Sequence, residues 1–223
     1  MNGGYTEIIN EIDHIARDIA SFSEILFRLS QADPADEICR QLGLAAAALS
    51  TENIPDIDGI GRVLYIKAVR ERMETVAEEV ESFCKNTESS LTKLYMHREL
   101  LVTLRDGSSK GSDALSGYKA MLSDMCGKTA SQSEKALISH SIKDALLSQT
   151  VAQKNISLAE SWLIKTDDLI SGLTSFETHM IPLWKSGYTG AAMSYSSDDI
   201  RGCFETGNLF AEKISEIIRK AGG

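Results

Sequence analysis

The sequence predicts an all-α fold: an elongated antiparallel helical bundle built on two long coiled-coil-like helices, about 58–105 and 133–186, with shorter helices flanking them. Three observations carry this. Apolar residues recur in alternating steps of three and four along most of the chain, which is the pattern of helices with one buried stripe. Only three prolines occur among 223 residues, at 34, 55 and 182, so long uninterrupted helices are permitted. Aromatic residues make up 6%, which suits aliphatic helix packing better than a β-sandwich or barrel core, and no segment reads as a strand. The expected organisation is a single elongated helical domain over 1–223, with the N-terminal heptad helix, 5–30, able to pack separately.

The first helix is the most regular. Ile12, Ile19 and Leu26 fall at heptad position a, and Ile8, Ile15, Phe22 and Leu29 at d. "QADPADE" at 31–37 stops it, and Asp33 followed by Pro34 starts a short second helix that ends near Ser50. "TENIPDIDGIG" at 51–61 is a connection. A new stripe then runs through Ile66, Val69, Met73, Val76, Val80, Phe83, Thr87, Ser90, Leu94, His97, Leu101 and Leu104. Thr87 and Ser90 put hydroxyls where apolar knobs belong, so a bend or a wet patch is expected there. "RDGSSKGSD" at 105–113 has the chemistry of a turn, after which Asp113 can cap a helix carrying Leu115, Tyr118, Met121, Leu122 and Met125.

"CGKTASQSE" at 126–134 is a second break, where Ser131 and Glu134 match the capping-box spacing. The following long helix keeps heptad phase through Ile138, Ile142, Ala145, Gln149, Ala152, Ile156, Ala159, Leu163, Thr166, Ile170, Leu173, Glu177, Met180 and Trp184. Its small residues permit close helix approach. A glycine-spotted stretch at 187–207 precedes a last helix, "NLFAEKISEIIRKA".

Composition narrows the function classes. A net charge of −9, with no basic cluster clear of neighbouring acids, argues against nucleic-acid binding. The same charge repels anions at long range. The N-terminus has no basic region followed by an apolar run, and no window approaches the roughly 18 apolar residues of a membrane span. A cytoplasmic location is expected. Cys39, Cys84, Cys126 and Cys203 lie far apart with no C-x-x-C pair, so four free thiols are expected in a reducing compartment.

Reactive constellations are weak throughout. Glu11 and His14 have the E-x-x-H spacing of di-iron bundles, but the heptad phase turns His14 to solvent and the further ligands are missing. His97 falls on the buried stripe, where a structural histidine is the simpler reading. His140 and His179 have no Cys or His one turn further on to complete a helical zinc pair. No phosphate-loop, dinucleotide or nucleophile-elbow motif occurs. The chain is not expected to be an enzyme, and no catalytic residue, cofactor or metal is assigned. A pore-forming toxin is disfavoured too, since "LGLAAAALS" at 42–50 is too short and weakly apolar to insert into lipid.

Pro182 poses a separate question, because it lies inside the last long stripe. Heptad phase places it on the outward face, where it removes an amide donor and crowds the carbonyl of Thr178. A kink there turns Trp184 into the core. Ile181, Pro182, Leu183, Trp184 and Lys185 form the motif "IPLWK". With the preceding helix, over roughly 145–192, it resembles the toxic-anion resistance family, the TelA-type tellurite-resistance proteins. Ser186 and Gly187 stand where that family's signature continues with Asn-Gln. The resemblance implies a helical, cytoplasmic protein associated with tellurite or general envelope stress, with no catalytic residues to carry over. The function expected is therefore a non-catalytic scaffold or adaptor in toxic-anion or stress resistance, contacting other proteins helix to helix. The alternative is a structural coiled-coil protein that forms homo-oligomers through its N-terminal heptads, unrelated to toxic anions.

Overall fold

The computed structural model describes residues 4–49, 62–194 and 197–222. The connection expected at 51–61 lies outside the described residues, as do the side chains of the stripe positions Ile66 and Val69. Among the described residues all but 32–33 and 129–131 are helical, and none lies in a strand. The helices are α1 (Gly4–Gln31), α2 (Pro34–Leu49), α3 (Arg62–Lys128), α4 (Gln132–Ser175), α5 (Ile181–Ser194) and α6 (Ser197–Gly222), with a π turn (Phe176–Met180) joining α4 to α5. The fold is an all-α helical bundle, and its contacts gather into two compact units. One combines 1–33 with 98–163, the other 34–97 with 164–223.

The first unit is a three-helix arrangement of α1, the 98–128 part of α3 and the 132–163 part of α4. A turn at 129–131 reverses the chain between α3 and α4. At that turn the Glu134 amide donates to Ser131 Oγ at 3.4 Å, as the capping-box spacing predicts. Gln149 on α4 donates to the Ser112 carbonyl (3.0 Å) and to Ser116 Oγ on α3, which sets the antiparallel register. Ile12, Ile19 and Leu26 of α1 are each 1% exposed. They pack with Leu101, Leu104, Leu115 and Leu122 of α3 and with Ala145, Ala152 and Ala159 of α4. Asn155 is the polar register pin: it donates to the Ile19 carbonyl (3.1 Å) and accepts from Ser23 (2.9 Å). The d positions Ile8, Ile15, Phe22 and Leu29 are half-buried against the same core.

The expected turn at 105–113 does not form. Helix α3 runs through it to Lys128, so the long helix predicted to end at 105 and the separate helix capped by Asp113 are one element. The three-four spacing simply continues: Leu104, Ser108, Gly111, Leu115, Tyr118, Leu122 and Met125 are all buried or half-buried. Gly107 and Gly111 serve as contact surface. A methyl group on Gly107 would lie 2.7 Å from Phe22 Cε2, and one on Gly111 would lie 3.2 Å from Ile19 Cδ1. Glycine costs a helix interior about 1 kcal/mol relative to alanine, and here α1 recovers that cost by laying Ile15, Ile19 and Phe22 against bare α3 backbone.

The second unit packs α2 and α5 on α6, together with the 62–97 part of α3 and α4 beyond residue 163. Its core joins Ile38 and Leu42 of α2, Val76, Val80 and Phe83 of α3, Leu173 of α4 and Phe210, Ile214 and Ile217 of α6. Lys165 pairs with Asp36 across α4 and α2. The predicted helix 133–186 is in fact interrupted by the π turn, where the Ile181 amide bonds the Phe176 carbonyl five residues back. Heptad phase would put Glu177 in the core. The extra residue in the turn brings Phe176 inward instead, leaves Glu177 exposed, and makes Ile181 the next buried position ahead of Trp184. The glycine-spotted stretch at 187–207 is also mostly helical, shared between α5 and α6.

Glycine substitutions test these close approaches. A methyl group on Gly117 would have no neighbour within 4 Å, whereas a Cβ on Gly172 would meet Ile217 Cγ1 at 2.8 Å and Cγ2 at 2.9 Å. Gly117→Ala should raise the unfolding free energy by about 0.5–1 kcal/mol. Gly172→Ala should lower it, because overpacking costs about 1–3 kcal/mol and outweighs the propensity gain. Urea denaturation distinguishes the two, and equal stabilisation by both would contradict the α4–α6 contact.

Candidate functional site

The polar interruption in the α3 stripe is a built feature. Thr87 and Ser90 are buried, at 3% and 9% exposure, and α3 passes them without a break. The expected bend is therefore absent. The Thr87 hydroxyl donates to the Phe83 carbonyl at 2.9 Å, one turn back, which satisfies the proton without a partner on another helix. In place of two apolar knobs there is a groove of about 260 Å³ between α2 and α3. Its floor is apolar, made by Ile38, Leu42, Phe83 and Leu173, while Gln41, Glu79, Asn86, Thr87 and Ser90 supply polar edges. Leu44, 61% exposed, is a further lining residue.

The floor continues into an aromatic spine. Phe83 meets Phe176 edge to face at 5.0 Å, and Phe176 meets Phe210 in the same way at 4.5 Å. Phe210 lies 6.5 Å from Trp184, whose indole stacks on Tyr188 at 5.1 Å. The "IPLWK" residues are thus divided by role. Ile181 and Trp184 are buried in the core, and Pro182, Leu183 and Lys185 are exposed. The π turn does what the sequence assigns to a proline kink: it sits directly before Pro182 and turns Trp184 inward. Trp184 Nε1 is buried with no hydrogen-bond partner among the described residues, so the indole contributes through its ring.

The bond from Lys85 holds the Glu81 carboxyl below its ordinary value, and Lys185 adds a smaller pull in the same direction. Burial dominates at Cys84 and pushes its thiol above the ordinary value, with Glu177 adding to the rise and Lys185 opposing it. Among the described residues Cys39, Cys84 and Cys126 form no disulfide. A raised thiol pKa is the opposite of what a reactive nucleophile needs.

A second cleft, of about 280 Å³, lies between α4 and α6 and is lined by Asp168, Ser171, Ser175, Lys213, Glu216 and Lys220. Its two ammonium groups are already engaged: Glu216 accepts from Lys213 at 2.7 Å and Lys220 at 3.0 Å. Those bonds hold the Glu216 carboxyl down at about 2, so it stays ionised and keeps both lysines paired across the neutral range. Glu216 offsets one of the two ammonium charges and Asp168 lines the same cleft, so little positive charge is left for an anion.

The histidines separate as the heptad phase requires. His14 is exposed beside Asp18 at 3.2 Å, His140 is exposed beside Asp144 at 3.2 Å, and His97 is buried on the stripe. Among the described residues no group of three or more His, Cys, Asp or Glu side chains could hold a metal ion, and no helix is long and apolar enough to cross a membrane. Sequence reasoning flags Thr87 and Ser90 but misses Gln41, Asn86 and Phe176. The first two come to the groove through the packing of α2 on α3, and the π turn hides the third. The chain matches no protein-family model, no curated protein and no solved structure.

Two measurements probe this region. Trp184→Phe should be tolerated to within about 1.5 kcal/mol, since an aromatic ring is kept and no indole bond is lost, whereas Trp184→Ala should cost about 3–5 kcal/mol. A large penalty for the phenylalanine variant in denaturant titrations would instead assign the indole N–H a partner. Alkylation of Cys84, followed by peptide mass spectrometry, should be slow at pH 8 and should still be rising with pH where an ordinary thiol has levelled off. Lys185→Glu should delay it further, because removing the cation raises the thiol pKa. Fast labelling at pH 8 would refute the burial argument.

Proposed function

We propose that the protein is a non-catalytic adaptor of toxic-anion or general stress resistance, acting in the cytoplasm, that seats apolar anchor residues of a partner protein's helix in the α2–α3 groove. The observation that carries this reading is the replacement of two stripe knobs by Thr87 and Ser90, which leaves a cavity inside an otherwise filled seam. Larger apolar residues there would bury more surface and stabilise the unit. The open seam therefore sacrifices stability, as binding surfaces commonly do.

The size of the groove favours side chains over a free ligand. At about 260 Å³ it falls below the roughly 300–1,000 Å³ of typical small-molecule sites. An apolar floor with polar edges suits the anchors of an amphipathic helix. Glu79 lines the groove and Glu78 is exposed beside it on α3, in a chain of net charge −9. A partner helix with basic residues flanking its anchors is complementary. The resistance setting rests on the resemblance of "IPLWK" and its preceding helix to the toxic-anion resistance family.

The test is complementation. In a strain lacking the gene, wild-type protein should restore growth on tellurite, and Thr87→Leu/Ser90→Leu, with the groove filled, should not. The filled variant should melt at or above the wild-type temperature, separating loss of docking from loss of folding. Equal rescue by the filled variant would overturn the groove assignment. A deletion with unchanged tellurite sensitivity would overturn the resistance setting.

A further inference from the structure

Helix α4 carries a second stripe, opposite the one it buries. Leu137, His140, Asp144, Leu147, Val151, Lys154, Leu158 and Ser161 follow the same alternation of three and four along its outward face. The apolar members stay in the open: Leu137 is 48% exposed, Leu147 66%, Val151 39% and Leu158 40%. Between Asp144 and Lys154 the nine residues "ALLSQTVAQ" carry no charge, although a quarter of the chain is charged. A heptad stripe with an uncharged centre on the solvent side of a bundle helix can serve as an interaction surface.

The order of residues identifies what covers it. The stripe is a palindrome in spacing about Gln149. If a second α4 is laid antiparallel across it, Leu147 meets Val151 of the second copy, Asp144 meets Lys154, His140 meets Leu158 and Leu137 meets Ser161. Two-fold symmetry repeats each pairing, so a dimer has an apolar centre bracketed by two Asp144–Lys154 ion pairs. Parallel pairing in register would stack Asp144 on Asp144 and Lys154 on Lys154, which opposes that arrangement. His140 Nδ1 lies 3.2 Å from Asp144 Oδ2 and holds that carboxylate on the stripe.

We propose that the outward stripe of α4, from Leu137 to Ser161, is a homodimer interface in which two copies pair antiparallel about Gln149. It differs from the oligomer expected from the N-terminal heptads, which would use α1. It is also independent of the α2–α3 groove.

Sedimentation of the full-length chain tests it. Wild type should dimerise at micromolar concentration. Asp144→Lys and Lys154→Asp should each weaken dimerisation by at least about tenfold, since each places like charges together twice per dimer. Mixing the two single variants should restore a dimer, because every cross-pair is then opposite in charge. Leu147→Glu should be monomeric with unchanged helicity by circular dichroism. A monomeric wild type overturns the proposal, as does a dimer that survives both reversals, or a mixture of folded single variants that fails to associate.

Discussion

The phase of the stripe along α3 is the constraint on which the rest of the structure depends. Once Met73, Val76, Val80, Phe83, Leu94, Leu101 and Leu104 face inward, the rotation of every later residue in the same helix is determined. Ser108 and Gly111 must then face inward as well, and Leu115 and Leu122 follow in phase. Breaking the helix at "RDGSSKGSD" would keep the local turn preferences but lose that alignment. Tertiary burial outweighs local propensity here, as it commonly does when a neighbouring helix can exploit the missing side chains.

The same constraint explains the π turn. Four residues past Leu173, strict heptad phase demands that Glu177 be buried, at the cost of an uncompensated charge in an apolar core. One extra residue in the helical turn removes the conflict and gives the position to Phe176, which becomes the centre of the aromatic spine. It also places the irregular turn immediately before Pro182, where the amide hydrogen bond is lost in any case. Two local difficulties, an acid on the stripe and a proline beyond it, share one remedy.

Against this economy the two departures from full packing are informative. Thr87 and Ser90 occupy buried stripe positions with hydroxyls, and the outward face of α4 carries leucines and a valine where a solvated helix normally carries charge. Each leaves a helix surface unfilled, the first as a concave groove with polar edges and the second as a convex, self-complementary ridge. The second cleft, between α4 and α6, shows the contrast: Glu216 is shared by Lys213 and Lys220, and Asp168 lines the same cleft, so its charges largely offset one another.

The helical class, the stripes of α1, α3 and α4, the boundaries at Asp33–Pro34 and Ser131, and the outward position of His14 were legible from residue order, because heptad spacing and capping act over one or two turns. The polar weakness at Thr87 and Ser90 was legible for the same reason. Other features were not. Whether Gly107 and Gly111 end a helix or receive Phe22 and Ile19 depends on where α1 packs, about 90 residues away in the chain. Whether Glu177 or Phe176 enters the core depends on what α3 and α6 present to that turn. Residue order alone settled which faces are greasy and where helices start. Only the tertiary structure decided where glycine means contact and which two helices enclose a groove, because both follow from distances between segments that no local spacing encodes.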